Sequence, residues 1–230
     1  MSFEVVVEYF PRLLEGVKTT IELVVVSGLI GSMLALPIGL ARHSHRWWLS
    51  AIPYAYIFFF RGTPLLVQIF LVYYGLAQFD AVRESAFWPY LREPYWCAII
   101  AFSLNTAAYT AEILRGALAA IPRGEIEAAK TIGMRQPVLY RRIMLPRAFG
   151  MILPAYGNEV ILMLKGSALA STITLLDITG TARTIIARTY TPIEIFLAAG
   201  GLYLLISMVI ILAFRQLERR HNRHLQPINR

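Results

Sequence analysis

Residues 127–146 read EAAKTIGMRQPVLYRRIMLP and lie between apolar runs that are long enough to cross a lipid bilayer. The segment is hydrophilic and rich in cations, with Lys130 followed by Arg135, Arg141 and Arg142. The spacing of its acidic, alanine, glycine and basic residues is more regular than a simple connection between two helices requires. One reading is a solvated loop whose arginines only reflect membrane topology. The internal order favours the other reading, a docking surface for another protein.

The local chemistry of this segment predicts a helix, a glycine turn and a second short helix. Glu125 and Glu127 would stand at the amino end of the first helix, where negative charge stabilises the helix dipole. Ala128 and Ala129 are strong helix formers without bulk, so another protein can approach closely. Gly133 can adopt the positive φ with which many helices end. We therefore predict a helix–Gly–helix unit outside the bilayer.

Composition indicates a protein that is solvated by lipid. Of the 230 residues, 57% are hydrophobic and 16% are charged, and the mean hydropathy is +0.56. Soluble domains carry about 25% charged residues. The formal charge of +8 does not indicate nucleic-acid binding, because the basic residues cluster at the ends of apolar runs. The single cysteine, Cys97, lies in an apolar run, and we expect it to pack in the core.

Five apolar runs could each form a transmembrane helix of about 20 residues. They lie at about 21–40, 52–77, 95–114, 143–164 and 193–214. A helix satisfies its backbone groups within one segment, as a span in lipid requires. The sequence therefore predicts an all-α polytopic membrane protein with about five transmembrane helices. We expect a single transmembrane domain over residues 1–230, with the polar loop at about 122–146.

The distribution of Lys and Arg predicts the orientation, because cytoplasmic loops carry the excess of positive charge. Residues 115–147 and the tail from Arg215 to Arg230 hold most of these cations. We therefore place the amino terminus outside and the carboxyl terminus in the cytoplasm. The stretch from Phe3 to Leu14, which Pro11 interrupts, is expected to lie along the outer interface before the first span.

The second apolar run is interrupted by Arg61-Gly62-Thr63-Pro64. A charge deep in hydrocarbon costs at least about 2.5–3.5 kcal/mol. We favour an arrangement in which residues 47–60 lie partly in the interface and the crossing begins near Thr63. The alternative buries Arg61 against protein or a polar cavity at a Gly-Pro break.

The polar segment resembles the EAA loop of the membrane subunits of ABC importers. The matching positions are Glu127, Ala128, Ala129, Gly133, Ile143 and Leu145-Pro146. Three further stretches resemble the polar amino-acid branch of these permeases: FRGTP at 60–64, NTAAYTAE at 105–112 and PAYGNEVILMLK at 154–165. The resemblance covers nearly the whole chain. It is nearest to the M-type subunit of histidine/lysine-arginine-ornithine importers, whose relatives also carry opines.

The resemblance implies the transmembrane fold of a type I ABC importer in a bacterial inner membrane. Two membrane subunits would form the path for polar and notably basic amino acids. The second subunit is expected to be a paralogue of this chain rather than a second copy of it. Two cytoplasmic ATPase subunits would bind ATP and Mg²⁺, and a periplasmic amino-acid-binding protein would deliver the substrate. The chain itself is expected to be no enzyme and to bind no cofactor or metal. By this resemblance Glu127, Ala128, Ala129 and Gly133 are the positions that couple transport to the ATPase.

Ionisable residues within a predicted span are candidates for the substrate path. Glu159 would lie about 24 Å along the fourth helix, at 1.5 Å per residue. Its carboxylate could bind the cationic group of a basic amino acid, and Asn158 could add a hydrogen bond. The alternative is a structural partnership of Glu159 with Arg61, Lys165 or a backbone end.

Two polar residues of the third predicted span are further candidates with simpler explanations. Glu112 precedes Arg115 by three residues, which predicts a local ion pair on one helix face. Asn105 is equally consistent with an interhelical hydrogen bond and with a substrate contact.

Other functions have little support in the sequence. The chain lacks a GxxxxGK[ST] phosphate loop, and no catalytic constellation lies within one segment. The histidines are expected to be solvated at cytoplasmic edges: His43, His45, His221 and His224. The leading alternative is a secondary transporter that works without an ATPase. Such folds often contain inverted repeats, which the two halves of this chain do not show.

Overall fold

The computed structural model describes residues 4–221, and every regular element within this range is a helix or a helical turn. The helices are α1 (Glu4–His43), α2 (Trp47–Gly62), α3 (Leu65–Phe70), α4 (Asp80–Arg83), α5 (Trp88–Leu91), α6 (Pro94–Ala119), α7 (Arg123–Thr131), α8 (Gln136–Leu139), α9 (Leu145–Gly166), α10 (Ile178–Thr189) and α11 (Pro192–His221). The all-α prediction is confirmed. Arg223 and Arg230, on which the predicted orientation partly rests, and His224, which was expected to be solvated, lie outside the described residues.

Within residues 4–221, three helices are long and apolar enough to cross a membrane, namely α1, α6 and α11. Two bent pairs qualify as well: α2 with residues 65–78, bent by 106°, and residues 136–173 with α10, bent by 48°. Length and composition thus allow up to five spans. The limits of the spans within these helices, and the side on which each terminus lies, stay predictions.

The first helix is longer than the sequence suggested. Pro11 was expected to interrupt the amino-terminal stretch, but α1 continues through Pro11 and Pro37 over 40 residues. The reason is tertiary packing, since Leu13 is fully buried in a cluster with Ile178 and Ile195 of α10 and α11. Packing of this kind outweighs the local cost of a proline within a helix.

Small residues allow α1 and α6 to approach closely along their length. Ala107, Ala108 and Ala111 of α6 are fully buried. Across the interface, a methyl group added at Gly31 would lie 2.9 Å from Cβ of Thr106. The two helices therefore approach so closely that an extra methyl group would not fit between them. In lipid, helices that pack this closely are held together by van der Waals contacts rather than by a hydrophobic effect.

A buried carboxylate joins α10 to its neighbours. Asp177 caps α10 by accepting hydrogen bonds from the backbone N–H groups of Gly180 (2.9 Å) and Thr179 (3.2 Å). The hydroxyl of Tyr203 on α11 donates to the same carboxylate at 2.9 Å. The backbone N–H of Ile178 donates to the Thr20 hydroxyl on α1 at 3.2 Å. These bonds fix the amino end of α10 between α1 and α11.

Candidate functional site

A cavity of about 470 Å³ opens beside the break between α2 and α3. Its walls are the end of α2, the break itself, and the facing sides of α6 and α9. The polar residues in its lining are Arg61, Thr63, Asn105, Tyr109 and Glu159. Residues that the sequence analysis selected on separate grounds are therefore brought together here: Arg61, Asn105 and Glu159.

Glu159 is the acidic group of this cavity. It lies on α9 and is 7% exposed. Among residues 4–221 it makes no hydrogen bond and no ion pair within 4 Å, and the positive charge of Arg61 in the same cavity acts on it from a longer distance. A buried charge without a partner is costly. The carboxylate is therefore available to a cationic group that enters the cavity.

Arg61 stands at the junction of two cavities. Its guanidinium carbon lies 5.3 Å from the ring centroid of Tyr109, a distance at which a cation and an aromatic face attract each other. The second cavity, of about 270 Å³, is lined by Arg61 together with Arg42, Tyr54 and Glu112. Arg61 thus lines the cavity at the break but is exposed in this chain, and which of the two predicted arrangements holds stays a prediction.

The side chain of Gln68 forms hydrogen bonds with residues on both sides of the end of α2, a role that the sequence analysis missed. Its amide nitrogen donates to the carbonyl oxygen of Phe60 at 2.8 Å and to the hydroxyl of Thr63 at 2.9 Å. Its amide oxygen accepts a hydrogen bond from Asn105 Nδ2 at 2.8 Å. Asn105 thus makes the interhelical hydrogen bond that was one of its two predicted roles, and it also lines the cavity. A glutamine four residues after Pro64, in an apolar run, was the available signal.

Glu112 forms the local ion pair that its spacing predicted. Arg115 Nη2 lies 2.6 Å from Glu112 Oε1, on the same face of α6. Arg42 lines the cavity beside this pair and donates from Nη1 to the Ser50 hydroxyl at 3.0 Å. Asn158, which was predicted to assist Glu159, is exposed and does not line either cavity.

The predicted helix–Gly–helix unit is present as α7, a turn at Gly133, and α8. Gly133 has a φ of +80°. Its N–H donates to the carbonyl of Lys130 at 2.9 Å, and the N–H of Met134 donates to that of Ala129 at 3.1 Å. This pair of bonds is the Schellman motif, in which a residue with positive φ ends the helix. The turn therefore requires the backbone freedom of glycine rather than its small size.

The four predicted coupling positions do not share one environment. Glu127 and Ala128 are exposed, whereas Ala129 is 3% exposed and packs into a cluster that includes Leu139 and Met144. Ile132, which the sequence analysis did not select, is 73% exposed beside the glycine turn. The outward surface of the unit thus combines Glu127 and Ala128 with the large apolar side chain of Ile132, and Val138 of α8 is exposed as well.

Metal binding has no structural support in the part of the chain from 4 to 221, where no group of three or more His, Cys, Asp or Glu residues could hold an ion.

Comparisons with known proteins agree with this geometry. The family model of the binding-protein-dependent transport system inner membrane component matches residues 27–223. An octopine transport system permease protein of Rhizobium meliloti is 51% identical, over 92% of this chain and 86% of that protein. A histidine/lysine/arginine/ornithine transport system permease protein of Escherichia coli is 41% identical, over 97% of this chain and 98% of that protein.

Solved structures show the same fold. A crystal structure of an amino acid ABC transporter with histidines matches with a TM-score of 0.86 and 33% identity, covering 96% of this chain and 99% of that one. An inward-facing MetNI methionine ABC transporter matches with a TM-score of 0.78 at 20% identity, which supports the fold alone. The chain is therefore an integral-membrane permease subunit of the ABC-importer type and not an enzyme, and it belongs to the family of binding-protein-dependent transport system inner membrane components.

Proposed function

We propose that this permease subunit imports basic amino acids or opines derived from them, and that its substrate passes the cavity between Arg61 and Glu159. The observation that carries the proposal is the buried, unpartnered carboxylate of Glu159 in a cavity that also presents a guanidinium. A basic amino acid has a cationic side chain, which matches Glu159, and a carboxylate, which matches Arg61. Opines keep these groups, so the same cavity suits both.

The names of the relatives support this range of substrates without separating its members. The octopine permease protein of Rhizobium meliloti is 51% identical, and a nopaline permease protein of Agrobacterium fabrum is 48% identical. An arginine ABC transporter permease protein of Haemophilus influenzae is 39% identical. Each of these names refers to a guanidino compound or a derivative of one.

The unit formed by α7, Gly133 and α8 is proposed to dock onto the ATPase. Glu127, Ala128 and Ile132 offer an exposed surface with one carboxylate and one apolar side chain. Ala129 and Gly133 would act indirectly, by packing the unit and by shaping its turn. This division gives separate roles to the four positions that were expected to couple transport to the ATPase.

The remaining proposals concern the assembly. We place the chain in the bacterial inner membrane with its amino terminus outside. A pair of ATPase subunits would bind ATP and Mg²⁺ on the cytoplasmic side, and a periplasmic binding protein would deliver the substrate. The second membrane subunit is proposed to be a paralogue, because the resemblance is to an M-type subunit.

The proposal is tested by uptake into proteoliposomes that contain the complete importer, its binding protein and internal ATP. Glu159→Gln removes the carboxylate charge at nearly constant volume, and Glu8→Gln makes the same change at an exposed position on α1. We expect Glu159→Gln to lower arginine uptake by tenfold or more and to leave the uptake of any accepted neutral amino acid less affected. Equal losses for cationic and neutral substrates would assign Glu159 a structural role and overturn the proposal.

A further inference from the structure

A third cavity lies away from the proposed substrate path. It measures about 840 Å³ and is bounded by the end of α6, the start of α9 and the end of α11. Its positively charged lining consists of Arg142 and Arg147, His221 also lines it, and its apolar lining includes Ile143 and Met151. It therefore joins a cluster of positive charge to an apolar surface.

The third cavity and the substrate cavity lie on opposite faces of α9. Gly150 lines the third cavity, and Glu159 lines the cavity described above. Their separation of nine residues corresponds to about 2.5 turns at 3.6 residues per turn, which is a rotation to the opposite side. Met151, which lines the third cavity, is an exposed large apolar side chain, as contact with lipid tails requires.

The cations of this cavity are only partly neutralised. Arg147 donates from Nη2 to Glu125 Oε1 at 2.7 Å, which holds the guanidinium in place and leaves its other donors unused. Arg142 is exposed and makes no hydrogen bond or ion pair within residues 4–221. The ring of His221 lies edge-on to that of Phe149, with 5.2 Å between the centroids.

We propose that this cavity binds an anionic phospholipid, with its phosphate at Arg142 and Arg147 and its acyl chains against Ile143 and Met151. Basic pockets between transmembrane helices at the cytoplasmic leaflet are suited to acidic lipid headgroups. The location in the cytoplasmic leaflet rests on the proposed orientation, but lipid binding itself can be measured without it.

The test uses the complete importer, purified in detergent and titrated with phosphatidylglycerol or phosphatidylcholine while bound lipids are counted by native mass spectrometry. Arg142→Gln removes a cavity charge that has no partner in the described chain. Arg219→Gln is the matched control, since it removes an exposed arginine that does not line the cavity. We expect Arg142→Gln to weaken phosphatidylglycerol binding about fivefold, the contribution of one cation near a membrane surface. Arg219→Gln and phosphatidylcholine binding should change little.

Three results would overturn the proposal. Equal losses for Arg142→Gln and Arg219→Gln would show that general surface charge binds the lipid. Binding to the isolated chain that disappears in the complete importer would show that a partner subunit covers the cavity. Displacement of the lipid by excess inorganic phosphate would make the site one for a free anion. None of these outcomes depends on arginine uptake, so the substrate proposal is tested separately.

Discussion

The turn at Gly133 allows a sharp test of the docking unit. We consider Gly133→Ala, together with Gly124→Ala as a matched control in the same loop. A Cβ atom at either position would meet nothing within 4 Å, but only Gly133 has a positive φ. The control position lies inside α7, where alanine is favoured over glycine by about 0.5–1 kcal/mol. The two variants therefore differ in backbone conformation and not in steric crowding.

The expected magnitude follows from the cost of the left-handed conformation, about 1–2 kcal/mol for a residue with a Cβ atom. If only the native turn docks, the apparent affinity for the ATPase falls with the population of that turn. A penalty of this size corresponds to a loss of up to about 5- to 30-fold in the apparent affinity for the ATPase. Asparagine tolerates the conformation better than alanine does. We therefore expect Gly133→Asn to bind more tightly than Gly133→Ala.

The assay is a titration of purified ATPase against the membrane subunits in nanodiscs, with substrate-stimulated ATP hydrolysis as the second readout. The account predicts weaker ATPase binding for Gly133→Ala and unchanged binding for Gly124→Ala. Insertion of both variants is checked by their yield in the membrane. Identical affinities for the two variants would refute the argument that the positive φ of Gly133 shapes the docking surface.

Three further variants test the packing and the hydrogen bonds of the fold, each by thermal unfolding in detergent. Gly31→Val should destabilise the chain by about 1–3 kcal/mol, because its Cβ would collide with α6, whereas a Cβ at position 200 meets nothing within 4 Å and Gly200→Val should not destabilise. Gln68→Leu should cost about 1–3 kcal/mol and also lower uptake, since it leaves the buried backbone at the break unsatisfied; full stability would contradict this role. Tyr203→Phe should cost about 1.5–3 kcal/mol, because the hydrogen bond to the buried carboxylate of Asp177 is lost. An unchanged melting temperature for that variant would show that α10 is held by packing alone.

Features that depend on neighbouring residues were predictable from the sequence. The Glu112–Arg115 pair follows from a spacing of three residues on a helix. The turn at Gly133 follows from a glycine at the end of a short helical segment. The choice between an ABC permease and a secondary transporter also rested on local motifs, and the family match now excludes the secondary transporter.

Features that depend on long-range packing were not predictable in the same way. The cavity exists because the break after α2 faces α6 and α9, and no local pattern specifies that arrangement. The continuation of α1 through Pro11 likewise depends on its packing against α10 and α11. Asn158 is adjacent to Glu159 in sequence, but one residue turns a helix by about 100°, so the two side chains face different surroundings.

The central claim is that substrate occupies the cavity beside Glu159. Substrate protection of a single cysteine tests it directly, with Leu162→Cys in the cavity lining and Met208→Cys on an exposed face of α11 as the control. Both are made in a Cys97→Ala background, because Cys97 is the only native cysteine. We predict that arginine, delivered by the binding protein, slows thiol labelling at residue 162 and not at residue 208. Equal labelling rates at residue 162 with and without substrate would contradict the account.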